Sequence, residues 1–132
     1  MTHTATGRAT AASTVTALRV LAVLTVVVLA WQFVTAGSIV GPGEAEGAES
    51  LHATGAIVLH VVSGLTMIVA ALVWRAGAPL WPAVVAAVVF VLSFVQAYFG
   101  SGATLAIHVP GAMVLTIGAV VVAAWSFTPS AR

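Results

Sequence analysis

Four apolar runs separated by short breaks dominate this chain: Ala17 to Val40, Leu51 to Trp74, Leu80 to Phe99, and Leu105 to Phe127. Each is about 20 to 24 residues long, and about 20 helical residues cross a hydrocarbon core about 30 Å thick. Backbone amides find no water there, so each run must satisfy its own hydrogen bonds as a helix. The breaks carry turn residues. Gly41-Pro42-Gly43 leads into an acidic loop with Glu44, Glu46 and Glu49, and Ser50 stands where a hydroxyl can cap the second helix. Arg75-Ala76-Gly77-Ala78-Pro79 and Gly100-Ser101-Gly102 make the other two. The expected fold is an all-α membrane protein, a four-helix transmembrane bundle made of two repeated helical hairpins. It occupies residues 17–128, with helices at 17–40, 51–74, 80–99 and 105–127, after a disordered cytoplasmic tail over 1–16.

Composition closes off other classes. Only 5% of the 132 residues are charged, where a soluble domain carries about 25%. Net charge is +1 and Lys is absent, so there is no basic footprint for nucleic acid. Cys is absent too, which excludes disulfides, thiolate metal sites and thiol catalysis. In a four-crossing arrangement Arg8, Arg19, Arg75 and Arg132 fall on one side, and the three Glu on the other. The positive-inside bias then predicts a multi-pass plasma-membrane protein with both termini cytoplasmic. Trp31, Trp74, Trp81 and Trp125 fall near helix ends, as aromatic belts do. A cleaved signal peptide ending at Val34-Thr35-Ala36 is the rival reading of the first run, which is longer than a usual signal core.

The chain also resembles itself. Leu51-His52-Ala53-Thr54-Gly55-Ala56-Ile57-Val58-Leu59 opens the second run, and Ile107-His108-Val109-Pro110-Gly111-Ala112-Met113-Val114-Leu115 opens the fourth. His, Gly, Ala, Val and Leu match in register. Trp31-Gln32-Phe33 near the end of the first run has a counterpart in Val95-Gln96-Ala97 near the end of the third. Apolar composition produces chance matches, but paired His and Gln are not apolar noise. Pro110 is expected in the first turn of its helix, where its missing N–H costs nothing.

Matched histidines on matched helices predict two imidazoles facing one another across the bundle, an arrangement suited to axial ligation of a haem iron. Gly55 and Gly111, three residues on and on the same helical face, would let a flat porphyrin approach the backbone. Gln32 and Gln96 would bond a propionate or orient a ligand imidazole. Each residue has a plainer reading. A first-turn His often sits in the headgroup zone, a membrane-helix Gly often only admits a neighbouring helix, and a Gln often bridges helices. It is the recurrence of all three that favours the haem site. His60 lies about 12 Å deeper than His52. Its counterpart is Thr116, so it breaks the symmetry. An ionisable group within a membrane is a candidate for a proton path, a second cofactor or a quinone. His3 falls in the tail and carries no assignment.

Gln and small residues closing an odd helix, then His-x-x-Gly-Ala opening the next, resemble one four-helix half of haem A synthase. They also resemble an uncharacterised actinobacterial family of four-helix membrane proteins. The resemblance covers Leu18 to Phe127. It implies that His52 and His108 are the axial ligands of one haem b on the outer side. Haem A synthase has two such halves and this chain has one. Its bacterial members often carry a loop cysteine pair, which is missing here, and none of Glu44, Glu46 or Glu49 has a motif marking it as that family's catalytic carboxylate. Enzyme activity therefore does not carry over, and the leading expectation is a non-enzymatic b-type cytochrome. It would work in electron transfer or in redox or haem sensing, with a redox protein or quinone as partner. Two alternatives stand beside it: a structural or assembly subunit of a larger complex or homo-oligomer, and a transition-metal site using His52, His108 and His60.

Overall fold

The computed structural model describes residues 3–41, 46–100 and 104–131, with side chains from residue 12 onward. Glu44, Pro42-Gly43, Ser101-Gly102 and Arg132 lie outside the described residues, as do the side chains of His3 and Arg8. Four helices make up the fold: α1 (His3–Val40), α2 (Ala48–Arg75), α3 (Trp81–Tyr98) and α4 (Leu105–Ser126), with a 3-10 turn at Pro129–Ala131. All four are long and apolar enough to cross a membrane. The protein is thus an all-α membrane protein with a four-helix bundle. α1 packs on α2, α2 on α3, α3 on α4, and α4 closes the ring against α1.

Three local expectations need correction. The segment 3–16, expected to be a disordered tail, continues α1; adding a residue to a helix already nucleated costs little, and Ala is the best former. Ser50 does not cap α2. Gly47, at φ 80°, precedes a helix that already begins at Ala48, so Ser50 lies within the first turn. Pro110 is the sixth residue of α4, beyond the turn whose amides lack partners, so it withholds a helical hydrogen bond from the Ala106 carbonyl.

Small side chains are prominent in the interior, and many large apolar ones face outward. Ala22, Ala70, Ala86, Ala119, Ser63, Ser93 and Ser126 are buried, while Val27, Ile57, Val61 and Ile117 face outward, each more than half exposed. Water would sort them the other way. In lipid the exterior is as apolar as the core, so helices associate by close backbone approach over small residues. The buried hydroxyls are satisfied at short range. Ser63 donates to Leu59 O at 2.6 Å and Thr66 to Val62 O at 2.8 Å. Thr25 and Thr66 also meet across α1 and α2 at 3.0 Å.

Burial keeps step along the two hairpins. Counting back from Gln32 and from Gln96, the pairs Leu29 and Ser93, Thr25 and Val89, Ala22 and Ala86, and Leu18 and Pro82 are all buried. Counting forward from His52 and from His108, so are Leu59 and Leu115, Ser63 and Ala119, Thr66 and Val122, and Ala70 and Ser126. A central cavity is lined by four of these pairs, two from each count.

Charge marks the two ends. Arg75 closes α2, and Arg19, at the same end, donates from Nε to Ser126 O at 2.9 Å, with its guanidinium 5.3 Å from the Phe127 ring. An α4 carbonyl near the helix end thereby gains a cationic partner. Glu46 and Glu49 lie at the opposite end, where α2 begins.

This packing predicts which enlargements the bundle tolerates. Ala86→Leu, at a position 3% exposed, should lower stability by about 1–3 kcal/mol through overpacking. Val27→Leu, at a position 55% exposed, should leave it unchanged. Thermal unfolding of both variants in the same detergent or bicelle compares them directly.

Candidate haem site

The site lies at the end of the bundle bearing Glu46 and Glu49, above a floor of apolar side chains. Leu29, Leu59 and Leu115 are all nearly fully buried. Leu59 and Leu115 stand seven residues beyond His52 and His108, two helical turns along the same stripe, so the stripes that build the core also aim the imidazoles inward.

The two histidines meet. Their ring centroids are 6.4 Å apart and their planes are inclined at 59°. Each ring is anchored through Nδ1 to the last part of the preceding helix. His108 Nδ1 lies 3.0 Å from the backbone carbonyl of Gln96 and, facing an acceptor, must carry the proton that donates to it. His52 Nδ1 lies 2.8 Å from Thr35 Oγ1. That hydroxyl lies 3.2 Å from Trp31 O and 3.1 Å from Gln32 O. A hydroxyl has one proton, and with it given to a backbone carbonyl, Thr35 accepts from His52 Nδ1–H. In their neutral form both imidazoles then carry the proton on Nδ1 and leave Nε2 free of one, the tautomer in which Nε2 can ligate a metal while Nδ1 is held by an outer partner.

The glycines and glutamines also meet, though in a different relation from the expected one. A Cβ on Gly55 would stand 2.5 Å from Gln32 Oε1 and 3.2 Å from Trp31 Cδ1, and a Cβ on Gly111 would overlap the Gln96 carboxamide, with Cδ at 2.8 Å. The room that Gly55 and Gly111 provide is therefore filled by the two glutamine side chains. Gln32 Oε1 and Gln96 Oε1 are both buried without a hydrogen-bond partner. Orphaned acceptors of this kind are rare in native interiors, and here they occur as a matched pair beside the histidines.

His60 stands apart. Its ring lies flat on Phe94, with centroids 4.0 Å apart and planes 5° from parallel. Among the described residues no group of three or more His, Cys, Asp or Glu side chains is placed to hold a metal, so His60 does not complete a three-histidine centre with His52 and His108. Thr35 is the site residue that sequence reasoning missed. It lies three positions after Gln32, on the same helical face, and that spacing was its only signal. No protein-family model, curated protein sequence or solved structure matches the chain.

The fit of Gln96 against Gly111 gives a test that needs no cofactor. Gly111→Ala should destabilise the bundle by about 1–3 kcal/mol, because the new methyl group and the carboxamide claim one space. Removing the carboxamide in Gly111→Ala/Gln96→Ala should recover most of that loss, a coupling that a double-mutant cycle in chemical or thermal unfolding would read.

Proposed function

We propose that this protein is a small b-type membrane cytochrome, in which His52 Nε2 and His108 Nε2 are the axial ligands of one haem. The observation that carries the reading is the spacing of the two rings. With metal–imidazole bonds of about 2 Å and each ring centre about 1 Å behind its nitrogen, two axial imidazoles on one ion have centroids about 6 Å apart; here the distance is 6.4 Å. The Nδ1 anchors add a second support, since they leave the coordinating nitrogen unprotonated and hold the ring in place. Gln32 and Gln96 would then be the movable parts. Neither Oε1 has a hydrogen bond to lose, so moving the carboxamides away from Gly55 and Gly111 breaks no bond at those oxygens, although it gives up their close packing.

Bound haem supplies an iron that gains and loses one electron. The chain's own groups set the conditions. His52 and His108 together would hold the iron and leave no position open to oxygen, which favours electron transfer over oxygen binding. Leu29, Leu59 and Leu115 keep water from the inner side of the site, and Thr35 and the Gln96 carbonyl fix the ring tautomers. The role is electron transfer or redox sensing in the plasma membrane, with both termini cytoplasmic and the site on the outer side. The opposite placement of Arg19 and Arg75 against Glu46 and Glu49 supports that orientation. The paired burial along α1 and α3, and along α2 and α4, supports descent of the bundle from a duplicated hairpin.

The deciding measurement is the visible spectrum of protein purified after expression with ample haem, with pyridine extraction to identify the porphyrin. A low-spin Soret band is expected, with sharp α and β bands on reduction. His52→Ala and His108→Ala should each shift the iron toward high spin and weaken retention. Thr35→Val should do so more mildly, because the ligand stays and only its anchor goes. A wild-type protein that remains colourless after haem is added would leave the structural-subunit reading in its place. Orientation has its own assay: a reporter that works only in the cytoplasm, fused after Arg132, should be active.

A further inference from the structure

Among the described residues three buried side-chain atoms lack a hydrogen-bond partner: Gln32 Oε1, Gln96 Oε1 and His60 Nε2. The first two belong to the site already described, and the third lies on α2 about two turns, some 12 Å, below the level of His52. A polar atom of the imidazole is thus left unpaired deep in the span, where the bilayer offers no water in compensation. The proton of the nearby Ser63 hydroxyl is given to Leu59 O at 2.6 Å, and the imidazole nitrogen makes no bond to it.

The surroundings say what a partner must be. His60 is partly exposed, and its neighbours on the helix, Ile57 and Val61, are 65% and 57% exposed. Phe94, on which the imidazole lies, is 49% exposed, and Phe90 meets Phe94 edge-on at 5.2 Å. This seam between α2 and α3 faces lipid, and Nε2 itself is covered by neighbouring side chains, so a ligand reaches it only when the seam parts, and that ligand must dissolve in lipid. A bound water needs two to four polar partners, and this wall is otherwise apolar and aromatic. A flat ring carrying a hydrogen-bonding oxygen matches what is present: a face-stacking aromatic pair and one imidazole nitrogen that lacks a partner.

We infer that His60 and Phe94 form a binding site for the ring of a lipid-soluble quinone or quinol, with His60 Nε2 hydrogen-bonded to one of its ring oxygens. The role of that ligand as electron partner rests on the haem reading; its binding does not. In its unprotonated form Nε2 accepts from a quinol hydroxyl, and in its protonated form it donates to a quinone carbonyl.

The test is photoaffinity labelling with an azido-naphthoquinone, on the full chain in lipid nanodiscs, with unlabelled menadione as competitor. Labelling is expected on peptides covering residues 57–64 of α2 or 90–94 of α3, displaced by menadione. His60→Phe should reduce it at least tenfold. His60→Gln should retain most of it, because a carboxamide still donates and accepts. Phe94→Leu, which keeps the imidazole and removes the aromatic face, should weaken it, and decides the matter with His60→Gln if His60→Phe does not fold. Label scattered over the lipid-facing surface, label that menadione does not displace, or equal labelling of His60→Phe and wild type would overturn the inference. The His52→Ala/His108→Ala double variant separates the two readings. It should still be labelled, and a colourless wild-type protein that labels at His60 would remove the haem and keep the quinone site.

Discussion

A peptide N–H surrounded by hydrocarbon has one available partner, a carbonyl of its own helix, and leaving it unpaired costs several kcal/mol. Regular helices are the outcome, and the exceptions mark the ends and the site. Helices in lipid also lack the expulsion of water that drives soluble cores together, so they are held by contact alone. That is why alanine and serine are prominent inside this bundle beside its buried leucines and valines, while many other valines and isoleucines face outward. The same closeness lets side chains on adjacent helices reach one another's backbones. His108 reaches the Gln96 carbonyl and Arg19 the Ser126 carbonyl.

Small residues in the interior also explain how a polar site sits in an apolar chain. Gly55 and Gly111 allow glutamine carboxamides to lie against the helix backbone, which larger residues would prevent. The hydroxyls of Thr25, Ser63 and Thr66 disappear into carbonyls one turn back along their own helices. Among the described residues, the buried side-chain atoms left without a partner belong to two glutamines and one histidine. The interior is therefore quiet except where a ligand would be placed.

Much of this was legible in the residues, because length and hydropathy alone decide whether a run can span a membrane. The four helices and the paired His, Gly and Gln all followed from runs and spacing. The meeting of His52 with His108 follows from register, since both lie on the stripe that continues through Leu59 and Leu115. Other features depend on distances between helices, which spacing does not encode. Spacing marked Gly55 and Gly111 as places of close approach, yet which side chain fills the space beside them is a matter of interhelical distance. Thr35 stayed hidden because the symmetry that pointed to Gln32 and Gln96 gives it no polar counterpart; its mate in the third run is Phe99. Helix ends were read poorly at Ser50 and Pro110, where capping and helical turns depend on one or two residues of register.

The two anchors of the site have a consequence for how the protein is made. His52 is held by Thr35, and His108 by Gln96; in each case the anchor lies on the helix that emerges just before its histidine. Chains are synthesised from the N-terminus, and early units fold while later ones are still being made. Each hairpin therefore carries its own oriented imidazole, needing nothing from the other. What neither hairpin possesses is the opposite imidazole. Assembly on this view separates into the insertion of two helix pairs and their docking, and the two imidazoles come to face one another only when α4 has found α1.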